Sequence, residues 1–314
     1  MSHSIRNQFI HLLWATKDLA PLIIEDSRIS FIPYLSGILK NLGGLLLVGS
    51  ETSNHIHLLI NAPTNLSIAE LLNQIKSCSS KWYREENKNK NSNINSIFNW
   101  TDGYSAFTVS PSSLDNVEKY LKGESQRHKT RSFQDELTNF LNFHNIHFNP
   151  QYLTNTTYTQ LIYHLVWSVK NREPYLEAIL QAPLHQRIKH EVEKTKSKLH
   201  AIGNVADHIH LLIECSSKIS TASLVQNIKT ATTHLIKTLN GKNSEFCWQE
   251  GYGVFSVGKP AFETVLRYVN NQEQHHKDKT FDQEWNGFLE MNSVGPPGLN
   301  AWGVYSQASC LSLG

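Results

Sequence analysis

The pattern of hydrophobic and polar positions occurs twice along this 314-residue chain, with strand-like and helix-like stretches in the same order each time. In each copy, a stretch of aromatic and branched residues at strand length precedes a stretch with apolar residues at helical spacing. Two strands around a turn, a second helix, a fourth strand and a last helix follow. The pattern predicts βαββαβ plus one helix. This is a ferredoxin-like α+β fold, with an antiparallel sheet that carries helices on one face.

The repetition is also visible in the residues. "NHIHLLI" at 54–60 returns as "DHIHLLI" at 207–213, and "WTDGYSAFTVS" at 100–110 returns as "WQEGYGVFSVG" at 248–258. The offset falls from 153 to 148 residues between these pairs. The second copy therefore lacks five residues where the first reads "EENKNKNSNINS". This composition is typical of a surface loop, which tolerates insertion.

The length suits two domains of ordinary size, one for each copy. We expect domains at 1–145 and 158–290, joined by a linker at 146–157. Residues 291–314 are rich in Gly, Pro and Ser and match nothing in the first copy, so we interpret them as a tail.

Composition narrows the class of protein. The net charge is only +2, so a nucleic-acid surface would have to come from local clusters. The four cysteines show no CxxC spacing, which favours a reducing compartment over secretion. With no signal peptide and no apolar run of membrane length, we expect a soluble cytoplasmic protein that does not contact a membrane.

The repeated histidine pairs are candidate metal ligands. Alternate residues of a strand share a face, so His55 and His57 would point the same way, as would His208 and His210. Two imidazoles on one face can hold one metal ion. Two histidines that merely pack on a sheet are the other interpretation of so short a motif. Their recurrence at matching positions favours the metal site.

The last helix of each copy adds a tyrosine and an oxygen-bearing side chain. Tyr120 precedes Glu124 by four residues, and Tyr268 precedes Gln272 by the same spacing, so each pair lies on one helical face. Such a face could simply rest on the sheet. It could also bring a phenol beside the histidines.

These segments carry a family resemblance. "HIHLLI" has the His-hydrophobe-His signature of the HUH superfamily. With "HLVWSVK", "WQEGYGVFSVG" and "YVNNQEQHHKDKTFDQEW", the chain resembles the single-tyrosine transposases of small bacterial insertion sequences and their REP-associated relatives. The resemblance covers both copies and leaves out the tail.

The resemblance implies a function and a site. A divalent cation, Mg²⁺ or Mn²⁺, would be held by both histidines and a helix side chain. The tyrosine would cut single-stranded, hairpin-containing DNA through a covalent 5′-phosphotyrosine. Carried over, the metal ligands are His55, His57 and Glu124 in the first copy and His208, His210 and Gln272 in the second, with Tyr120 and Tyr268 as nucleophiles. Glu124 departs from the glutamine of the family pattern, but glutamate also suits a hard cation.

The duplication suggests an intramolecular dimer. The family resemblance implies a dimer in which the histidines of one subunit face the tyrosine helix of the other. Fusion of two copies would keep the partner domain at high effective concentration. We expect a pseudo-twofold monomer with exchanged sites, in which Tyr268 joins His55 and His57 while Tyr120 joins His208 and His210. Placement of each helix beside its own histidines is equally feasible.

Contacts to DNA are harder to assign. Two basic clusters could neutralise phosphates or form solvated faces: Lys76, Lys81, Arg84, Lys88 and Lys90, and Arg187, Lys189, Lys194, Lys196 and Lys198. Four aromatic residues could stack on bases, although core packing suits the tryptophans better: Trp100, Tyr104, Trp248 and Tyr252.

Two alternatives to the transposase remain open at this stage. A domesticated nickase of REP hairpins, or a replication initiator, would use the same chemistry on another substrate. A DNA-binding module with one or both sites inactive would keep the sheet and lose turnover. The alternative of an inactive first half rests on Glu124, which stands where the family pattern has glutamine.

Overall fold

The computed structural model describes residues 5–88, 98–239, 245–277 and 283–287. The predicted tail at 291–314 and Lys90 lie outside the described residues. Within these ranges no helix is both long and apolar enough to cross a bilayer.

The first copy contains five strands and five helices within its described part. They are β1 (Ile5–Asn7), β2 (Phe9–Ala15), α1 (Glu25–Asn41), β3 (Leu45–Glu51), β4 (His55–Asn61), α2 (Ile68–Glu86), β5 (Ser105–Thr108), α3 (Leu114–Lys122), α4 (Glu124–Arg127) and α5 (Phe133–Phe143).

The second copy repeats this order. Its elements are β6 (Tyr158–Gln160), β7 (Ile162–Ser168), α6 (Ala178–Lys194), β8 (Lys198–Asn204), β9 (His208–Glu214), α7 (Thr221–Leu239), β10 (Gly253–Ser256), α8 (Phe262–Asn270) and α9 (Gln272–His275), and residues 283–287 are helical as well.

The predicted ferredoxin-like fold is confirmed in both copies. In the first, strands β3, β4, β2 and β5 lie side by side and all neighbours are antiparallel. Alternation along β4 sorts its side chains between two layers. Ile56, Leu58 and Ile60 belong to the main core with α1 and α2, whereas Leu59 packs with Leu114 and Leu121 of α3 on the opposite face.

Two short strands that the sequence did not predict join the copies. β1 of the first copy pairs in parallel with β10 of the second, and β6 of the second pairs in parallel with β5 of the first. Each five-stranded sheet is therefore completed by a strand from the other copy. Three-residue strands carry too little periodicity to be recognised in a sequence.

Reciprocal hydrogen bonds make the pseudo-twofold relation explicit. Ser256 Oγ accepts from the backbone N–H of Phe9 (3.0 Å), and Thr108 Oγ1 accepts from that of Ile162 (3.1 Å). In return, Ser256 Oγ donates to the Val109 carbonyl (2.7 Å), and Thr108 Oγ1 donates to the carbonyl of residue 257 (2.8 Å). The same groups bond in both directions, as in an isologous dimer interface. The main hydrophobic core also contains residues from both copies.

Candidate metal and tyrosine sites

The two histidines of β4 are buried on the face opposite α1 and α2. In the register of β4 with β2, His57 lies opposite Leu13 and His55 opposite Ala15. His55 Nδ1 lies 2.7 Å from the Asn54 side-chain oxygen, and His57 Nδ1 lies 2.9 Å from His11 Nε2. Each imidazole is thus held through Nδ1, which turns its Nε2 towards the tyrosine helix.

The second copy repeats this arrangement. His208 Nδ1 lies 2.7 Å from the Asp207 carboxylate, and His210 Nδ1 lies 2.9 Å from His164 Nε2. Partners of this kind fix the tautomer and the orientation of metal-binding histidines. His11 and His164 were not singled out from the sequence, although both stand at matching places in the repeat.

In the first copy, helices α3 to α5 bring the other predicted residues to these histidines. Glu124 Oε1 lies 2.9 Å from His55 Nε2 and 3.2 Å from His57 Nε2. Tyr120 donates its phenolic hydrogen to Glu136 Oε1. The structure therefore gathers all four predicted residues of the first copy.

The exchanged arrangement predicted for the two sites is wrong in this structure. Tyr120 and Glu124 accompany His55 and His57, and Tyr268 lies beside His210, with ring centroids 5.8 Å apart. The reason is local. After β5 the chain turns within a few residues into α3, and Leu114 and Leu121 dock this helix onto the sheet of its own copy through Leu59.

Two further residues per copy complete each cluster, and the sequence reasoning missed them. In the first copy, His128 Nε2 lies 2.8 Å from Glu124 Oε1, and Glu136 Oε2 lies 3.2 Å from His57 Nε2. The counterparts in the second copy are His276 and Glu284. A repeat-wide search for identical polar residues would have found both pairs, since His128 matches His276 and Glu136 matches Glu284 at the offset of 148.

The second cluster is built from three imidazoles and one carboxylate. His208 Nε2 lies 2.9 Å from His276 Nε2, and Glu284 Oε2 lies 3.4 Å from His210 Nε2. Gln272 is buried beside Gly203 of β8, and its Nε2 donates to the Tyr268 carbonyl (3.4 Å). Its Oε1 has no hydrogen-bond partner among the described residues.

Electrostatics differ sharply between the two clusters. In the first, burial opposes charge on His57, but hydrogen bonds to Glu124 and Glu136 outweigh it and raise its pKa to about 9. Burial likewise opposes charge on Glu124, whose contacts with His128, His55 and His57 nevertheless hold its pKa well below the usual range. The first site is a network of paired opposite charges.

The second cluster carries less charge. Burial, together with the neighbouring imidazoles, holds the pKa of His210 well below its ordinary value. Burial also raises the pKa of Glu284 to about 7. The exchange of Glu124 for Gln272 removes the carboxylate that would otherwise favour imidazolium ions here.

This contrast predicts a pH dependence for the metal-free protein. The pKa of His57 and that of His128 are each raised to about 9, so their stabilising contribution is complete below about pH 6.5 and is lost as pH rises through 9. We expect the free energy of unfolding, measured with a chelator, to favour the wild type over Glu124→Gln/Glu136→Gln most at pH 6. That advantage should shrink towards pH 9. An advantage that grows with pH would contradict the assignment of charges.

Gly203 sets how closely the tyrosine helix of the second copy approaches its sheet. A Cβ at this position would lie 2.0 Å from the Val269 carbonyl oxygen and 2.7 Å from Gln272 Cγ. We expect Gly203→Ala to push α8 and α9 away and to destabilise the protein by roughly 2–4 kcal/mol in chemical denaturation. Gly37→Ala is the matched control. A Cβ there meets nothing within 4 Å in the middle of α1, so unchanged or slightly raised stability is expected. Equal effects would show that Gly203 has no role in helix docking.

Several side chains of the two basic clusters contact other groups of the protein, and these contacts favour a structural role over DNA binding for them. Lys76 points its ammonium at the carbonyls of Thr101 (2.9 Å) and Gly103 (2.8 Å) instead of towards solvent. On α6, Arg187 and Lys194 both pair with Glu191, which favours the solvated-face interpretation for that cluster. Lys81, Lys88, Lys196 and Lys198 are exposed, and Arg84 donates to the Phe98 carbonyl.

The tryptophans are core residues. Trp100 Nε1 donates to Ser79 Oγ (3.0 Å), and Trp248 Nε1 donates to Thr232 Oγ1 (2.9 Å), both within the main core. Tyr104 and Tyr252 are partly buried and pack against the same core. Core packing therefore accounts for both tryptophans, which is the role that the sequence analysis favoured for them.

Comparison with known protein families agrees with the repeat. The model of the family described as "Transposase IS200 like" matches residues 4–124 and again 157–272. No curated protein sequence matches the chain.

Three solved structures show similarity. A candidate transposase from Deinococcus radiodurans is 22% identical, covers 36% of this chain and 91% of its own, and has a TM-score of 0.30. A REP-associated tyrosine transposase bound to a REP hairpin is 16% identical, with 37% and 68% covered and a TM-score of 0.32. An unknown protein from Galdieria sulphuraria is 9% identical, with 79% and 96% covered and a TM-score of 0.18.

The family model covers well over half of the chain, and its two matches coincide with the two copies seen in the sequence. The chain therefore belongs to the IS200-like transposases and carries the domain of that family twice.

Proposed function

We propose that this chain is a metal-dependent single-strand DNA endonuclease and strand transferase that acts through a covalent 5′-phosphotyrosine. One observation carries the proposal. In each half, two buried histidines, a further histidine and at least one buried carboxylate meet beside a tyrosine on one face of the sheet. Clusters of titratable groups with strongly shifted pKa values are typical of functional sites.

The donor atoms fit a divalent cation. In the first half, ligand atoms of His55, Glu124, His128 and Glu136 all lie within 4.8 Å of one another. In the second half, the buried Oε1 of Gln272 offers a neutral oxygen that no described residue satisfies. The carboxylate and amide oxygens suit Mg²⁺ or Mn²⁺. When bound, the cation would neutralise the non-bridging oxygens of the scissile phosphate.

The residues of the chain supply the nucleophile and its surroundings. The Tyr120 oxygen would attack phosphorus, forming the O–P bond while the bond to the 3′ oxygen breaks. The departing 3′ oxygen would take up a proton from solvent and leave as a free 3′ hydroxyl. Glu136 Oε1 already accepts the phenolic hydrogen and would receive it on attack. Burial, then the nearby Glu136 carboxylate, raises the pKa of Tyr120, so the phenol stays protonated until that transfer.

Rejoining follows from the same intermediate. A 3′ hydroxyl of another DNA end would attack the phosphotyrosine, form the new phosphodiester and return the phenol. The bond energy is conserved, so no nucleotide cofactor is required. Hairpin DNA is the proposed substrate class, in line with the REP hairpin bound by one similar protein.

The test uses a labelled single-stranded hairpin with unpaired flanks, incubated with the full chain and Mg²⁺ or Mn²⁺. We expect a protein–DNA adduct that survives denaturing electrophoresis and disappears with chelator. Fully duplex DNA of the same sequence is the control and should give no adduct. Failure to form an adduct with a panel of hairpins would reject the proposed chemistry.

A further inference from the structure

A cavity of about 420 Å³ opens beside Tyr120 and is bounded by both copies of the domain. His11, Phe107 and His144 line it, and the ring centroids of Phe107 and His144 lie 4.1 Å apart in a stacked arrangement. Phe140 and Tyr120 line it as well. Aromatic and apolar side chains therefore line most of a site that opens directly at the phenol proposed as nucleophile.

The lining also contains polar and charged side chains, among them the carboxylate of Glu136. Asn116, Asn139, Arg131 and Lys259 line the cavity too, and Phe143 is exposed there. Lys259 comes from the second copy and reaches the Asn145 side-chain oxygen of the first at 2.7 Å, once that amide is oriented to satisfy its neighbours. A largely apolar cavity that also contains amides and two cationic side chains suits a ligand that has a flat ring and an anionic tail.

We propose that this cavity binds the unpaired nucleotide next to the phosphate that Tyr120 attacks. This inference rests on the proposed function. The base stacks against Phe140 and Phe143, the lining amides meet its polar edge, and Arg131 with Lys259 faces its phosphate. A strand that presents a phosphate to Tyr120 would lie next to the cavity, because Tyr120 is one of its lining residues.

Three polar residues of the cavity are not repeated in the second copy, although His11, Tyr120 and Glu136 are. Lys259 corresponds to Pro111, Asn116 to Thr264 and Asn139 to Gly287. Such a difference is expected if the first half has specialised in reading a base while keeping its tyrosine and histidines.

The test is a mutant cycle between the protein and a hairpin. The background is Tyr120→Phe/Tyr268→Phe, so that binding is measured without cleavage, by fluorescence anisotropy with Mg²⁺. Phe143→Ala is compared with Tyr152→Ala, because Phe143 is 55% and Tyr152 is 54% exposed and only Phe143 lines the cavity. Each variant is titrated with the intact hairpin and with hairpins that carry one abasic site, moved in turn along the unpaired flank.

Phe143→Ala should weaken binding of the intact hairpin roughly 5- to 150-fold, the range for loss of one base–aromatic stack, and Tyr152→Ala should not. At one flanking position, the abasic site should weaken DNA binding by the Tyr152→Ala variant by a similar factor. It should weaken DNA binding by the Phe143→Ala variant much less, because both changes remove the same base–aromatic contact. Equal affinities of the two variants, or strictly additive losses at every position, would overturn the pocket while leaving adduct formation intact. Absence of DNA binding altogether would overturn the proposed function as well.

Discussion

Replacing one tyrosine with phenylalanine should abolish adduct formation in the half that carries it. Tyr120→Phe or Tyr268→Phe removes only the nucleophilic oxygen and keeps the ring, so a loss of at least about 10³-fold is expected at that site. Peptide mapping of the adduct separates the two tyrosines. Tyr152→Phe is the control and should behave as wild type, because Tyr152 lies on the surface outside both clusters. Adduct formation by Tyr120→Phe/Tyr268→Phe would refute the tyrosine chemistry.

Paired variants decide how the halves cooperate. If each tyrosine works with the histidines of its own copy, as the structure places them, His57→Ala/Tyr120→Phe disables only the first site and leaves the adduct at Tyr268. His57→Ala/Tyr268→Phe should then disable both sites. An exchanged arrangement during turnover predicts the opposite pair of results. The comparison is decisive because each double variant lacks one imidazole and one phenolic hydroxyl.

The sequence was sufficient to predict the fold because the decisive signals are local. Period-two alternation around His55 and His57 shows which side chains share a face, and the burial of Ile56 in the main core confirms it. Self-similarity between the copies then supplies the duplication and the pseudo-twofold relation. Strands β1 and β6 escaped prediction because their stability comes from pairing with the other copy and not from their own pattern.

The site was predictable only in part for a related reason. Tyr120 and Glu124 form a recognisable spacing on one helix, whereas Glu136 reaches the histidines from the following helix, across a turn that no short motif describes. The prediction of exchanged sites was wrong because α3 docks through Leu59, Leu114 and Leu121. These residues meet only in the folded structure, so no local sequence pattern shows their contact. Identity between the two copies was the signal that could have recovered His128 and Glu136.

Removing one proposed ligand should strongly weaken metal binding in its own half and leave binding in the other half unchanged. We expect His57→Ala or His210→Ala to weaken Mn²⁺ binding to that site by about 100-fold or more, since a lost ligand matters more than a lost outer-shell partner. Isothermal titration should then detect one tight site where the wild type shows two. His147→Ala is the control, because His147 is exposed in the predicted linker. Two tight sites in both ligand variants would exclude the histidine clusters as metal centres.

The two sites should also differ from each other in a defined direction. The first offers two carboxylates, Glu124 and Glu136, whereas the second offers Glu284 and the neutral amide of Gln272. More anionic oxygen favours a hard divalent cation, so the first half should bind Mn²⁺ more tightly above pH 9, where its imidazoles no longer hold protons. Below that pH the cation must displace the protons on His57 and His128, which lowers the apparent affinity. Glu124→Gln should bring the first site towards the second at high pH, and an increase in affinity there would contradict the charge argument.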